Sequence, residues 1–198
     1  MERFSQAADN NKTAILTVLA EWLPDKANLL EIGSGSGQHA IHMAAALQHI
    51  RWQPSERADM LHALNSNILA YGSPNICTPA GLDLKEDSWV FDPVDCIYSA
   101  NVMHIVSEEL GEKLIRGAAK ALRQDGLLAL YGPYKYRGEF TTRSNAEFDL
   151  RLKERDAQSG VRDFEWVTDI ANNSGLTLAE DRSMPANNKF LAFKRKLS

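Results

Sequence analysis

The chain has 198 residues, 44% of them hydrophobic and 24% charged, a balance that suits one globular unit with a full core. Its formal net charge of −4 argues against a broad basic face for nucleic acid, and no apolar run approaches the ~20 residues that span a bilayer. Met1 to Gln6 lack the basic start and apolar core of a secretion signal, and Cys77 and Cys96 are too few for a disulfide framework, so a cytoplasmic setting is expected.

The polar segment Phe4 to Lys12 reads either as a lid over a neighbouring site or as a frayed end. Over residues 13–23, Ile15, Leu16, Leu19, Trp22 and Leu23 share one helical face, and Pro24 stops the helix. Ala27 to Ile32 is an apolar run expected as a buried strand. Gly33, Gly35 and Gly37 end it at alternate positions, and a helix is expected from His39 to Leu47. A short strand at 50–53 is expected to stop at Pro54. A helix follows over 58–71, with Met60, Leu61, Leu64, Ile68 and Leu69 as its apolar stripe, and then a third strand over 76–82.

Val94 to Ala100 reads as the fourth strand. The helix at about 107–123 opens with Glu108 and Glu109, which suit the positive end of the helix dipole, and Gly126 leads into a fifth strand, Leu127 to Tyr131. Tyr134 to Val161 is too long for a simple connection. It interleaves Tyr134, Tyr136, Phe140 and Phe148 with charged and polar residues. Ser144 and Glu147 read as a capping box for a helix from Asn145 to Ala157. This insertion is expected either to act as a lid that shapes a substrate pocket or to cover the sheet edge. Asp163 to Ser174 reads as a helix closed by Gly175, and two strands, 177–183 and 189–196, follow without a helix between them.

The alternation predicts an α/β fold of Rossmann type: a mostly parallel seven-stranded sheet ending in an antiparallel hairpin, helices on both faces, one domain over 1–198 with a lid-like insertion around 134–161. Strand, glycine-rich turn and helix N-terminus describe a nucleotide-binding corner. Gly35, Gly37 and Ala40 also fit the dinucleotide pattern, so a nicotinamide cofactor is an alternative. Glu31, two residues before the first glycine, repels a pyrophosphate and welcomes a cationic amino-acid group. With Gly33, Gly35 and Gly37 it resembles the first motif of class I S-adenosylmethionine-dependent methyltransferases, whose layout also ends in an antiparallel hairpin.

On that resemblance Glu31, Gly33, Gly35 and Gly37 hold the cofactor. Glu56, 25 positions beyond Glu31, has acceptor sites for two ribose hydroxyls, or caps the following helix. Asp83 accepts from the adenine amine while the Leu84 N–H meets a ring nitrogen, or Asp83 simply forms a turn. Asn101, at the end of the fourth strand, holds the cofactor or orients a nucleophile. His104 is the acid–base candidate by its ordinary pKa, or packs under the next helix. The acceptor pocket is expected between Asn101 and His104 on one side and Tyr134 to Phe148 on the other, with Tyr134 counted among the catalytic candidates. His39 and His42 are spaced i, i+3 without a third ligand, so a helix face is expected and no metal.

Longer strings resemble an uncharacterised family of class I methyltransferase-like proteins over nearly the whole chain. They include Leu30-Glu31-Ile32-Gly33-Ser34-Gly35-Ser36-Gly37-Gln38-His39, Trp52-Gln53-Pro54-Ser55, Asn101-Val102-Met103-His104-Ile105, Ser144-Asn145-Ala146-Glu147-Phe148-Asp149, Gly160-Val161-Arg162-Asp163 and Met184-Pro185-Ala186-Asn187-Asn188. Glu56 stands where that family commonly has Asp, which keeps the carboxylate on a longer arm. The resemblance implies S-adenosylmethionine as cofactor and names no substrate. The expectation is methyl transfer to a small molecule. The alternatives are a non-catalytic cofactor-binding or protein-interaction module of the same fold and, third, a nicotinamide-dependent oxidoreductase. Oligomeric state has no signal in the sequence.

Overall fold

The chain is described by a computed structural model over residues 1–86 and 89–196. Its elements are α1 (Gln6–Trp22), β1 (Ala27–Ile32), α2 (Gln38–Ala46), β2 (Ile50–Glu56), α3 (Leu61–Tyr71), β3 (Ala80–Gly81), β4 (Val94–Ala100), α4 (Glu108–Ala121) and β5 (Leu122–Gly132). Then come β6 (Tyr134–Tyr136), β7 (Glu139–Phe140), α5 (Arg143–Arg155), β8 (Arg162–Asp163), α6 (Phe164–Asn173), β9 (Leu176–Met184) and β10 (Asn188–Arg195). The main sheet has seven strands in the order β3-β2-β1-β4-β5-β10-β9. β1 to β5 run parallel, and β10 is antiparallel to both β5 and β9. This is the predicted Rossmann-like sheet with its terminal hairpin.

Apolar alternation within the strands builds a core on each face. Along β1, Leu29 joins Trp52, Tyr98 and Phe190 beneath α1, α2 and α3, while Leu30 joins Ile97, Leu128 and Leu191 beneath α4 and α6. Successive residues of one strand thus feed opposite cores, as a sheet covered on both faces requires.

Several boundaries differ from expectation. Helix α1 begins at Gln6, where the Ser5 side chain accepts from the Ala8 N–H at 3.3 Å, so most of Phe4 to Lys12 is helix rather than frayed chain. β2 runs through Pro54 to Glu56. The Trp52 N–H points away from β1, to the Asn75 carbonyl at 2.9 Å, and Pro54 has the same parity. Its missing N–H therefore falls on the outer side and costs no bond to β1. On that outer side Pro79 also lacks a donor, so the ladder lapses between a bridge at Ile76 and the two residues of β3, in place of a strand over 76–82. Helix α3 starts at Leu61, because residues 58–60 form a turn. β5 reaches back to Leu122 through a bulge that shifts its register on β4, with Asp125 at φ 58°.

The capping box gives way to a different cap. Thr142 accepts from the Asn145 N–H at 3.3 Å and starts α5, which places Ser144 inside the first turn; Glu147 pairs with Arg143 instead. Residues 134–140 and 162–163 form a second, three-stranded sheet in the order β7-β6-β8.

Candidate functional site

The site is built at the carboxyl ends of β1, β2 and β4, where the sequence of the glycine turn leaves little choice. Gly33 sits at φ 75°, and a Cβ there would meet Val102 Cγ2 at 2.5 Å; Gly37 sits at φ 81°, and a Cβ would meet Leu64 Cδ1 at 2.8 Å. The turn is pinned by its own amides. Gly33 and Ser34 donate to the Ser55 carbonyl at 3.2 and 3.0 Å, and Gly37 donates to the Ser34 carbonyl at 2.8 Å. The Gly35 N–H donates to Glu56 Oε2 at 2.8 Å. Four amides that would cradle a pyrophosphate in a dinucleotide site are thus directed at protein acceptors.

Glu31 is 2% exposed at the end of β1. Trp52 Nε1 donates to its Oε2 at 2.9 Å and the Ser34 hydroxyl also donates to it, while Ser34 Oγ accepts from the Ser55 N–H at 3.1 Å. Burial pushes the carboxyl up to about 7; the Trp52 and Ser34 bonds act in the opposite direction, and the nearby Glu56 charge adds to the rise. A buried carboxylate with two neutral donors and no cationic partner among the described residues is electrostatically incomplete.

Two cavities meet here. A cavity of about 240 Å³ is lined by Glu31, Gly33 to Ser36, Gln38, His39, Ala100 and Asn101, and is closed on one side by Arg3, Ser5, Ala7, Ala8 and Met60. A larger one, about 640 Å³, is lined by Gly33, Glu56, Arg57, Asp59, Leu82 to Lys85, Asn101, Val102 and Ile105. Gly33 and Asn101 belong to both.

In the larger cavity, each Glu56 oxygen takes one protein donor, Gly35 N–H on Oε2 and Arg57 N–H on Oε1, which leaves further lone pairs. Asp83 Oδ1 accepts from the Lys85 N–H at 2.9 Å, so the turn expected of an Asp is present, and Oδ2 takes no donor among the described residues. The Leu84 N–H makes no hydrogen bond among the described residues. Asn101 is left-handed at φ 59° and is held by its N–H on the Tyr131 carbonyl at 2.8 Å.

The structure therefore groups Glu31, Gly33, Gly35, Glu56, Asp83, Leu84 and Asn101 around two adjoining cavities, with Gly37 shaping the turn behind them. His104 and Tyr134 line neither. His104 is buried, its Nδ1 is unpartnered, and its ring stands edge-on to Phe148 with centroids 5.2 Å apart. Burial, and after it the Arg162 charge, holds its pKa down at about 4. Tyr134 is buried with an unpartnered hydroxyl, and burial raises its pKa. His39 Nε2 faces two acceptors, the Ala8 carbonyl and Asn11 Oδ1, so it carries the proton, and Nδ1 accepts from the Tyr98 hydroxyl at 3.0 Å. Among the described residues no group of His, Cys, Asp and Glu is placed to hold a metal ion, and no helix is long and apolar enough to cross a membrane.

Sequence reasoning missed Trp52 as the partner of Glu31, although parity carries the signal. Leu29 pairs with Trp52 and Glu31 with Pro54, so Glu31 and Trp52 share a sheet face. It also missed Arg162, whose buried guanidinium donates to the Met103, Val106 and Gln158 carbonyls and ties the segment after β4 to the chain after α5.

This architecture is the Rossmann-like fold of S-adenosylmethionine-dependent methyltransferases. An O-methyltransferase family protein from Burkholderia thailandensis matches with a TM-score of 0.83 at 15% identity, over 96% of this chain and 57% of that one. The S-adenosylmethionine-dependent methyltransferase SibL in its apo form matches with a TM-score of 0.80 at 17% identity, over 96% and 56%. PigF, solved with SAH, matches with a TM-score of 0.74 at 16% identity, over 84% and 50%. The chain thus spans about half the length of these structures. It belongs to the family described as protein of unknown function (DUF938), which matches residues 2–195.

Proposed function

We propose that the chain binds S-adenosylmethionine across the adjoining cavities and transfers its methyl group to a small-molecule acceptor. The observation that carries this reading is the placement of carboxylates. Glu31 is buried at the small cavity and has no cationic partner among the described residues, and Glu56 and Asp83 stand with open lone pairs at the large one. A zwitterionic amino acid joined to a nucleoside fits that donor set. A dinucleotide does not, because the glycine-turn amides are committed and a carboxylate sits on the turn.

The residues divide the work. Glu31 takes the α-ammonium, Glu56 the ribose hydroxyls, and Asp83 with the Leu84 N–H the adenine edge. Asn101 lies where the cavities meet and orients the groups on either side. When bound, the sulfonium supplies an electrophilic methyl group; the chain contributes alignment for in-line attack. We assign residues 134–161 to a lid within one domain over 1–198. His104 and Tyr134 lie on the acceptor side, where displacement of Phe148 from the His104 ring would open that imidazole for proton removal. A second reading, cofactor binding without turnover, is favoured by one observation: neither His104 nor Tyr134 lines a cavity.

Calorimetric titration with S-adenosylhomocysteine and with NAD tests the cofactor. Binding of the first and not the second is expected; tight NAD binding with no response to S-adenosylhomocysteine would overturn the reading. Transfer of labelled methyl into a metabolite extract then tests turnover, and cofactor binding with no transfer selects the second reading.

A further inference from the structure

The small cavity has a carboxylate for an ammonium group, and the amino-acid end of the cofactor also carries a carboxylate. The donors around it are mostly spent. The turn amides of Gly33, Ser34, Gly35 and Gly37 go to protein acceptors. Ser34 donates to Glu31, Ser36 to Gln38 Oε1, and the His39 Nε2–H to Ala8 and Asn11. Among the lining side chains, the Ser5 hydroxyl and the Asn101 amide remain as neutral donors, and Arg3 is the one cation. Its guanidinium rests on the Met60 thioether, a weak acceptor that a carboxylate would replace with gain.

Arg3 is carried on a strap built to hold it there. On one side, buried Asn67 clamps Glu2 reciprocally: it accepts from the Glu2 N–H and donates to the Glu2 carbonyl, both at 2.9 Å, and also donates to the Ser36 carbonyl in the glycine turn. On the other side, buried Gln38 clamps Ser5 the same way, accepting from its N–H at 2.5 Å and donating to its carbonyl at 3.1 Å. Between the clamps Arg3 is left-handed at φ 52°.

We propose that Arg3 is the carboxylate-recognition residue of this site, delivered over the small cavity by the clamped strap, so that Glu31 and Arg3 together read a zwitterionic α-amino acid. This rests on the S-adenosylmethionine reading above. The test is calorimetry of wild type, R3A and R3K against S-adenosylhomocysteine and against 5′-methylthioadenosine, which lacks the amino-acid portion. R3A should weaken S-adenosylhomocysteine about tenfold or more while leaving 5′-methylthioadenosine within about twofold, and R3K should recover part of the loss. Wild type should prefer S-adenosylmethionine to its decarboxylated form, and R3A should lose that preference. Unchanged S-adenosylhomocysteine affinity in R3A, or equal loss of both ligands, overturns the role of Arg3 alone. Failure of wild type to bind either ligand overturns the cofactor reading and this inference with it.

Discussion

Replacing Glu31 by Gln should stabilise the free protein at neutral to alkaline pH while destroying its affinity for cofactor. Glu31 is fully buried, and its carboxyl is raised from 4.5 to about 7, chiefly by desolvation. A carboxyl whose folded pKa lies above its unfolded one stabilises the fold when protonated. That contribution is present below about pH 4.5 and is lost as pH rises through about 7. A shift of this size corresponds to roughly 3 kcal/mol, as an upper figure for a group with hydrogen-bond partners on site. Gln is neutral throughout and keeps an oxygen for the Trp52 N–H. The difference between E31Q and wild type should therefore be near zero at about pH 4.5 and grow to roughly 1–3 kcal/mol in favour of the mutant by about pH 8, or several degrees in Tm for a chain of this length. His39 and His104, both held down at about 4 by burial, destabilise the fold as pH falls below about 6.5, but both are present in the two proteins and cancel in the difference. Denaturant or thermal unfolding of both proteins, without cofactor, measures this. A pH-independent difference, or a mutant less stable than wild type at about pH 8, would refute the argument. In wild type, S-adenosylhomocysteine affinity should drop about tenfold per pH unit below about 7, since the ammonium needs the ionised carboxylate.

Glu56→Ala should weaken S-adenosylhomocysteine by ~1–3 kcal/mol, because it removes both the ribose acceptor and the anchor of the Gly35 N–H; unchanged calorimetric affinity in a folded mutant would count against the assignment. Asn101→Ala should cut turnover while cofactor affinity stays within about tenfold, since the residue is assigned to orientation at the junction; equal loss of affinity and turnover would argue against that. Thr142→Ala should cost about 1 kcal/mol in denaturant unfolding and Ser144→Ala much less, because Thr142 is the cap of α5; the reverse order would restore the capping-box reading.

The bounds of β1 and β4 were legible because each is an apolar run covered on both faces, where burial alone dictates the strand. Glu31 was legible as a violation of that run. What failed turned on one-sided chemistry. Pro54 reads as a breaker, yet its missing donor falls on the side of β2 where the ladder is already interrupted, a matter of parity that one strand alone does not reveal. Thr142 and Ser144 are both competent caps, and the choice between them depends on how the chain leaves β7. His104 and Tyr134 carry chemistry by residue type, but side-chain direction at the end of β4 and the start of β6 is decided by packing against α5 and the core. A lid over a neighbouring site was one reading of Phe4 to Lys12, but the anchoring of the strap was not legible. Its clamps join residues 65 and 33 positions apart, and nothing local to Glu2 or Ser5 marks them.

The departures from ordinary protein chemistry converge on one place. Left-handed residues other than glycine occur at Arg3, Asn101, Asp125, Arg137, Ala186 and Asn187. Asp125 lies at a strand bulge, Arg137 in the turn between β6 and β7, and Ala186 and Asn187 in the turn between β9 and β10, so chain reversal or register explains each of those. Arg3 and Asn101 are in no hairpin. They come from distant parts of the chain, and both line the cavity that holds Glu31, itself a buried acid with no ion-pair partner among the described residues. A left-handed cation, a left-handed amide and a desolvated carboxylate each cost stability where they stand. Folding alone gives no reason for all three to face the same 240 Å³ of space. A ligand bearing both an ammonium and a carboxylate gives one, since it would repay the burial of Glu31 and the constraint on Arg3 in a single binding event.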